Sequence, residues 1–324
     1  MEGLLVEDLT VEYPTATGRV LGADGVGFRL RPGERLGVVG ESGSGKSTVA
    51  LALLRLIRPP GRIVSGRVML GDIALRELSE AEMRSARLRL ASYIPQGAMN
   101  SLNPVKSVAA QMIDAMEDHG IVPGRGGMRA AIDEALRDVG LSEQVKGLFP
   151  HQLSGGMKQR VCIAIGMLLH PQLIVADEPT SALDVVTQRQ VMATLGRRQK
   201  ATGCALILIG HDMGLMAQFV DRLAVMYAGR IVEIGAIEEL FHAPRHPYTQ
   251  QLIASVPTFA HRGRFLGIPG TAPSLARLPP GCSFAPRCRF AMDVCRGVRP
   301  ALETVAPERQ LACHLGAETL VDAG

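Results

Sequence analysis

The chain has 324 residues, of which 47% are hydrophobic and 20% charged, with a formal net charge of +4. This composition indicates a globular protein with one large core, or a core and a smaller appended domain. The small positive charge, four tyrosines and no tryptophan leave little basis for nucleic-acid binding, so we expect no nucleic-acid partner. The amino terminus lacks a secretory pattern, and no apolar run approaches the ~20 residues of a membrane span. We therefore expect a cytosolic protein that meets a membrane only through a partner.

Along the first three quarters of the chain, apolar runs typical of buried strands alternate with helical patterns. This alternation predicts an α/β fold, with a mainly parallel sheet and helices on its faces. The clearest predicted strands, the last segment forming two strands around an Ala-Gly turn, are 35–40, 173–177, 205–210 and 222–235.

Two further regions differ from this alternation. From Leu102 to about Arg160 the pattern is mostly helical, interrupted by a predicted Gly-rich loop at 123–128, which indicates an inserted helical subdomain at about 98–161. After residue 245, Pro and Gly become frequent and four of the six cysteines appear. We therefore predict a core domain at 1–245 and a C-terminal extension at 246–324.

The first chemical motif is "GESGSGKST", which matches G-x-x-x-x-G-K-[ST] directly after a predicted strand and before an apolar helix. In such a loop, successive backbone N–H groups at a helix N-terminus bind phosphate. Lys46 would neutralise the outer phosphates, and the Ser47 hydroxyl would bind Mg²⁺. The predicted nucleotide-binding residues of this loop are Gly40, Ser42, Gly43, Ser44, Gly45, Lys46, Ser47 and Thr48.

A second phosphate-site element is "LIVADEP" at 173–179, where an apolar strand ends in two carboxylates. Asp177 is predicted to bind Mg²⁺. Glu178, one residue beyond, is placed to orient and deprotonate a water for attack on the terminal phosphate. An Asp-Glu pair at a strand end is usually a solvated turn, and the upstream phosphate loop favours the catalytic interpretation.

The segment "LSGGMKQR" at 153–160 opens a helix with a second anion-binding pattern, which one nucleotide core does not need for its own phosphate loop. With this motif, the chain strongly resembles the ATP-binding cassette (ABC) family over roughly residues 4–240. The resemblance implies a P-loop core with an inserted helical subdomain, and ATP and Mg²⁺ as cofactors. It also implies a head-to-tail pair of cassettes, in which Ser154, Gly155 and Gly156 of one clamp ATP against the P-loop of the other.

The other marks of that family occur in the expected order. Tyr13 resembles the aromatic residue that stacks on adenine, and Gln96 the glutamine that reaches metal and water. Asp184 matches the loop that contacts the second cassette, and His211 the histidine on the terminal phosphate. Each alone is more often a packing or surface residue, but six features in order favour the functional interpretation. Gly97 departs from the family, since many cassettes carry an acidic residue there.

Within the ABC family, the chain looks most like the ATPase subunits of bacterial peptide importers. The segments that carry this likeness are "SLNP" at 101–104, "HPYTQQLIASVP" at 246–257 and "PGCSFAPRC" at 280–288. The block "QGAMNSLNPV" resembles the first of two paired ATPase subunits. The likeness implies a peripheral protein on the cytoplasmic face of the membrane. Its partners would be a second homologous ATPase subunit, two permease subunits and, indirectly, an extracytoplasmic solute-binding protein. A nickel or other small-solute importer, a non-transport ABC ATPase and a redox-sensing protein are the alternatives.

Six cysteines in a reducing compartment argue against a disulfide framework. Cys162 and Cys204 lie in apolar patterns and are predicted core residues. The other four are separated by five, six and seventeen residues, without C-x₂₋₄-C spacing: Cys282, Cys288, Cys295 and Cys313. Four thiolates suit a [4Fe-4S] cluster, which some relatives carry in this region, while zinc and free or bridged thiols remain alternatives. Because the four lie outside every nucleotide motif, a structural or partner-docking role is expected.

Overall fold

The structure is a computed structural model that describes residues 3–16, 18–97, 101–121, 124–180, 183–255 and 268–316. Within these ranges, short 3₁₀ helices lie at Glu143–Gly147, Pro150–Gln152 and Ala285–Arg287. The strands and α-helices follow in chain order: β1 Leu4–Thr15, β2 Gly18–Leu30, β3 Arg35–Val39, α1 Lys46–Leu53, β4 Arg62–Leu70, β5 Ile73–Ala74, α2 Glu80–Ala86, β6 Ala91–Ile94, α3 Val108–Glu117, α4 Arg125–Asp138, α5 Gly155–Met167, β7 Leu173–Asp177, α6 Val185–Thr202, β8 Ala205–Ile209, α7 Met213–Phe219, β9 Arg222–Tyr227, β10 Arg230–Ala236, α8 Ile237–His242, α9 Pro247–Ala254, α10 Asp293–Gly297, β11 Glu303–Ala306 and β12 Arg309–Leu311.

The chain divides into two compact units. The first unit comprises Met1–Leu4, Leu30–Glu34 and Leu70–Leu208. The second unit comprises Leu5–Arg29, Arg35–Met69 and Ile209–Gly324. No helix within the described ranges is both long enough and apolar enough to cross a membrane.

The first unit contains the neighbouring strands β6, β7 and β8 and the helices α3 to α6. Strands β6 and β7 are parallel, with Ile94 opposite Ala176. Every residue of β7 and β8 is buried, as expected for central strands of a parallel sheet. The predicted strands at 173–177 and 205–210 are therefore confirmed, the second ending one residue early.

Helix α4 corrects the prediction of a Gly-rich loop at 123–128. The helix begins at Arg125 with Gly124 as its N-cap, so Gly126 and Gly127 are helical. Each helical glycine costs about 1 kcal/mol relative to alanine. Burial offsets this cost, because Met128, Ile132 and Leu136 recur every four residues and bury one face of the helix.

The second unit contains strands of two sheets. In one sheet the neighbouring strands follow the order β11, β12, β10, β9, β3, and in the other the order β2, β1, β4. Strands β3 and β9 are parallel, with Val39 opposite Val225. Strands β9 and β10 form the predicted pair around the Ala-Gly turn, where Ala228 has a φ of 49°. Strand β12 of the C-terminal extension pairs antiparallel with β10, placing Leu311 opposite Glu233. The extension therefore continues the sheet that contains β3.

Buried contacts also join the extension to the rest of the second unit. Glu233 is fully buried and accepts hydrogen bonds from the backbone N–H groups of Arg245 and His246, at 3.0 Å each. It also pairs with the buried Arg309 at 2.6 Å. Phe284 is 1% exposed and packs edge-on against Tyr227, with ring centroids 5.2 Å apart. An ion pair and an aromatic contact thus supplement the strand pairing.

Candidate functional site

The phosphate loop of the second unit joins β3 to α1, as its sequence predicted. Gly40 has a φ of 152°, and a Cβ there would lie 2.2 Å from the carbonyl oxygen of Met226. Gly45 has a φ of 99°, and its Cβ would lie 2.1 Å from the carbonyl oxygen of Gly22. Both distances are far shorter than real Cβ contacts, so the tight path of this loop requires glycine at both positions.

Lys46 is the first residue of α1, and only 8% of it is exposed. Its Nζ donates to the carbonyl oxygens of Gly40 and Glu41 at 2.8 Å each, and to Ser44 Oγ at 3.4 Å. The ammonium group is therefore held over the loop at a helix N-terminus, where both the charge and the helix dipole favour an anion. Ser47 follows on the exposed surface.

Two more predicted residues lie beside this loop in the second unit. Tyr13 and Thr48 both approach Gly22, because a Cβ on Gly22 would lie 2.7 Å from Tyr13 Cε2 and 3.0 Å from Thr48 Cγ2. The Tyr13 ring is thus placed next to the first turn of α1. His211 is exposed and follows Gly210, whose N–H donates to the carbonyl oxygen of Val38 at 3.2 Å. It thereby lies near the end of β3, where the phosphate loop begins.

In the first unit, the predicted catalytic carboxylate and glutamine are hydrogen-bonded. The Nε2 of Gln96 donates to Oε2 of Glu178 at 2.8 Å. The parallel register explains the contact, because Gln96 lies two residues beyond Ile94 and Glu178 two residues beyond its partner Ala176. Glu178 has a φ of 44°, a conformation that costs energy for a non-glycine residue and recurs at functional sites.

Asp177 is 2% exposed at the end of β7, and its Oδ2 accepts a hydrogen bond from the Tyr93 hydroxyl at 3.0 Å. Burial, followed by the negative charge of Asp177, raises the pKa of Tyr93 well above its usual value. The tyrosine is thus a neutral donor that orients the predicted Mg²⁺ ligand. The sequence prediction missed Tyr93, although it faces Val175 in the parallel register and thus lies near the end of β7.

The signature residues cap α5 in the first unit. Ser154 is the N-cap, and its hydroxyl accepts from the N–H of Met157 at 3.3 Å. Gly156 lies against α6, since a Cβ there would lie 2.6 Å from Thr187 Cγ2. Asp184 caps α6 and accepts from Thr187 Oγ1 at 2.7 Å, and hydrogen bonds from Thr187 hold the pKa of its carboxyl below the ordinary value. Ser154, Gly155 and Asp184 are exposed, as an intermolecular contact would need.

The predicted residues therefore fall into three groups, each confined to one unit. The first unit holds Gln96, Asp177 and Glu178 at the ends of β6 and β7, and Ser154, Gly155, Gly156 and Asp184 at the starts of α5 and α6. The second unit holds Tyr13, Gly40, Ser42, Gly43, Ser44, Gly45, Lys46, Ser47, Thr48 and His211. Ser181 and Ala182, next to Asp184 in the sequence, lie outside the described residues.

The four cysteines of the C-terminal extension line one cavity of the second unit, together with residues that include Phe284 and His314: Cys282, Cys288, Cys295 and Cys313. Burial raises the pKa of Cys313 to about 11 and raises the pKa of Cys282 and Cys288. Burial therefore favours the protonated thiol at these three positions, and a bound cation would be needed to stabilise thiolates there. This donor set fits a soft metal centre.

Within the described ranges, no group of three or more His, Cys, Asp or Glu residues converges to hold a metal ion. A tetrahedral zinc site would form such a group, because its four sulfurs lie about 2.3 Å from one ion. The described residues therefore give no support for a bound metal of either kind, and the iron-sulfur assignment stays a prediction. Cys162 and Cys204 are both buried, as expected for core residues.

The C-terminal extension contacts the phosphate loop. Arg287, the residue before Cys288, forms an ion pair of 2.6 Å with Glu41 of that loop. The four cysteines lie outside every nucleotide motif, but a neighbouring residue of the extension contacts the loop that carries Lys46. Residues 41 and 287 are joined only by the tertiary fold, and no local sequence signal connects them.

Comparison with known proteins agrees with these motifs. The ABC transporter family matches residues 23–181, and the oligopeptide/dipeptide transporter C-terminal region matches residues 232–295. The chain is 40% identical to the dipeptide transport ATP-binding protein DppD of Escherichia coli K12, over 99% of this chain and 98% of that protein. It is 41% identical to the oligopeptide transport ATP-binding protein OppD of Salmonella typhimurium LT2, over 98% and 95%. The dimeric bacterial ABC transporter cassette MJ0796 superimposes with a TM-score of 0.65 and 25% identity, over 72% of this chain and 98% of that one.

The first family match spans the phosphate loop, the signature helix start and the two carboxylates that end β7. The second spans Arg287 and three of the four clustered cysteines. Similarity therefore extends over both the nucleotide motifs and the C-terminal extension, and the predicted P-loop α/β fold of the ABC type is confirmed. The chain belongs to the ABC transporter ATPases, in the group that carries the oligopeptide/dipeptide C-terminal region.

Proposed function

We propose that this ATPase powers the import of peptides across the cytoplasmic membrane. The observation that carries the proposal is the likeness, over nearly the whole chain, to ATP-binding proteins named for dipeptide and oligopeptide transport. The match of the C-terminal region, separate from the cassette, favours the peptide group over other ABC transporters. The transported solute would be selected by the partner permease and a solute-binding protein.

In the proposed reaction, Glu178 is the general base that removes a proton from the attacking water. Its hydrogen bond to Gln96 keeps the carboxylate oriented and supports this role. Asp177 and Ser47 would bind Mg²⁺ with the help of Gln96, while Lys46 and the P-loop amides hold the phosphates. His211 would contact the terminal phosphate, and Tyr13 would stack on the adenine.

We further propose that two cassettes act head to tail, the second being a homologous subunit or another copy of this chain. The exposed position of Ser154, Gly155 and Asp184 supports this, because exposed residues are accessible to a second cassette. The dimeric state named for MJ0796 is consistent with it. The cassette (1–245) would bind two permease subunits at the cytoplasmic face through its helical subdomain (about 98–161), with 246–324 as an appended extension.

Uptake of labelled di- and oligopeptides in cells lacking the gene tests the function. We expect uptake to be lost and restored by the wild-type gene, but not by a gene encoding Glu178→Gln. Nickel and unrelated small solutes provide the matched controls. Unimpaired peptide uptake in the deletion strain, or loss of nickel uptake alone, would replace the peptide assignment with another importer.

We propose that the four cysteines hold a [4Fe-4S] cluster. The proposal rests on the type and number of these residues and on the cavity that they share. Bound there, the cluster would cross-link the extension and could exchange one electron. Protein purified without oxygen should contain about four irons per chain, and Cys313→Ser should lose most of them. Stoichiometric zinc without iron in anaerobic protein would contradict the assignment, as would full iron after loss of both Cys288 and Cys313.

A further inference from the structure

The C-terminal extension contacts the phosphate loop through an arginine fork. Arg287 Nη1 donates to Oε2 of Glu41 at 2.6 Å, and Nη2 donates to Oε1 at 2.9 Å. The Arg287 side chain is 5% exposed and that of Glu41 28% exposed. A bidentate arginine-carboxylate pair that is largely shielded from water is stronger and more directional than a surface ion pair.

Arg287 is held independently of Glu41. Its Nε donates to the carbonyl oxygen of Pro269 at 2.8 Å, its Nη2 to that of Ile268 at 3.2 Å, and its Nη1 to the Tyr227 hydroxyl at 3.2 Å. With the two bonds to Glu41, the five N–H groups of the guanidinium have five acceptors. The guanidinium is therefore a fixed anchor that the extension and β9 position, and Glu41 binds to it.

The same loop residue is also held through its backbone. The N–H of Glu41 donates to the Tyr248 hydroxyl at 2.8 Å. Tyr248 is completely buried and packs against Tyr227 and Phe284, with ring centroids 4.7 and 5.4 Å away. The carbonyl oxygen of Glu41 in turn accepts from Lys46 Nζ at 2.8 Å. The carboxylate and the backbone N–H of Glu41 bind the C-terminal part of the chain, and its carbonyl oxygen binds Lys46, the phosphate-binding lysine.

We propose that Arg287 and Tyr248 are positioning residues for ATP binding, which act through Glu41 to keep the phosphate loop in its binding conformation before ATP arrives. We call Glu41, Tyr248 and Arg287 the loop clamp. A loop that is already ordered loses less conformational entropy on binding, so the clamp increases affinity without touching the nucleotide. The inference rests on the assignment of this loop as the ATP site.

The loop clamp adjoins the four-cysteine cavity. Cys288 follows Arg287 in the chain and lines that cavity. The backbone that presents Arg287 is held locally, because the N–H of Arg287 donates to the carbonyl oxygen of Phe284 at 2.9 Å and the N–H of Cys288 donates to that of Ala285 at 3.3 Å.

Dissociation constants for a non-hydrolysable Mg-ATP analogue, measured on the full chain, test the clamp. Arg287→Ala should bind about tenfold more weakly, since hydrogen bonds between charged groups are the stronger class, and Arg287→Lys should be intermediate because it keeps the charge but loses the fork. Glu41→Gln leaves the other three bonds of Arg287 intact and tests the contact even if Arg287→Ala folds poorly. Arg296→Ala, an exposed arginine in the same extension, is the matched control and should bind as wild type.

Two further measurements distinguish positioning from general instability. The double variant Glu41→Gln/Arg287→Ala should be no weaker than Arg287→Ala alone, because both changes remove the same contact. Without nucleotide, hydrogen exchange of the loop amides at 40–48 should be faster in Arg287→Ala than in wild type. Wild-type affinity in Arg287→Ala, equal loss in Arg296→Ala, or unchanged exchange would overturn the clamp. If wild type itself does not bind the analogue, the ATP-site assignment fails, and the exchange comparison alone decides the clamp.

Discussion

Replacing Glu178 with glutamine isolates its proposed chemical role from its structural one. Glutamine has nearly the same shape, so it preserves the backbone at a φ of 44°. Its amide oxygen can still accept the hydrogen bond from Gln96 Nε2, which lies 2.8 Å from Glu178 Oε2 in the wild-type protein. Only the ability to accept a proton from water is lost. The variant therefore removes the base while leaving the surrounding contacts in place.

The loss of the general base determines how much slower ATP hydrolysis should become. A positioned general base typically contributes about 10²–10⁴ in rate, which corresponds to a barrier increase of about 3–5 kcal/mol. The substitution leaves Lys46 and the phosphate-loop residues that would hold the phosphates unchanged, so the affinity for Mg-ATP should be close to that of wild type. Glu178→Asp should also be slow, since a shift of the carboxylate by about 1 Å can cost about 10²-fold.

Single-turnover ATP hydrolysis in the assembled transporter, together with equilibrium binding of Mg-ATP, measures both quantities. Glu238→Gln, an exposed glutamate on α8, is the matched control and should hydrolyse ATP at the wild-type rate. A Glu178→Gln rate within about threefold of wild type would refute the general-base role. A large loss of Mg-ATP affinity would instead show that Glu178 acts mainly in binding.

The remaining predictions test three other contacts. Tyr93→Phe removes a donor to a predicted Mg²⁺ ligand and should raise the Mg²⁺ concentration for half-maximal ATPase activity about 10–100-fold, as measured by titration; an unchanged midpoint would contradict this. Ser154→Ala should leave ATP binding by the isolated chain unaltered and impair hydrolysis at the partner's site in a mixed dimer, whereas weaker binding by a dilute monomer would exclude the head-to-tail arrangement. Arg309→Met leaves the buried Glu233 carboxylate without its cation and should cost about 3–5 kcal/mol, seen as faster hydrogen exchange in β12. The double change Glu233→Gln/Arg309→Met removes the buried charge but keeps an oxygen acceptor for the backbone N–H groups of residues 245 and 246, so it should recover part of that cost, and additive losses would contradict the pairing.

Local signals in the sequence were sufficient for the phosphate loop and the strands around it. The positive φ values of Gly40 and Gly45 follow from steric requirements that glycine alone meets, so the motif and its conformation are inseparable. The buried strands at 173–177 and 205–209 were recognisable because every residue is apolar or small up to Asp177. Each of these features is determined by the residues of one short segment, so the local sequence is enough to predict it.

Contacts that depend on distant segments were not predictable in the same way. Glu41 and Arg287 are separated by 246 positions, and neither stands out in its local pattern. The hydrogen bond from Tyr93 to Asp177 required the register of β6 on β7, which periodicity does not specify. The helical glycines at 126 and 127 show the opposite case, where burial along α4 overrides a local preference for a loop.

The loop clamp alters the expected relation between the extension and the cassette. The sequence placed the four cysteines outside every nucleotide motif and indicated a structural or partner-docking role for them. In the structure, β12 extends the sheet of the second unit. Arg287 and Tyr248 form hydrogen bonds with Glu41 of the phosphate loop. We therefore expect changes at Arg287 or Tyr248 to alter nucleotide affinity.

The central claim is that ATP hydrolysis by this chain drives peptide import. Its most direct test is peptide uptake by vesicles that contain the complete transporter and the solute-binding protein, with Mg-ATP supplied on the cassette side. Labelled peptide should accumulate with wild-type protein and ATP, and fail to accumulate with ADP or with Glu178→Gln. Accumulation that persists with Glu178→Gln, or active ATP hydrolysis with no peptide transport, would contradict the account.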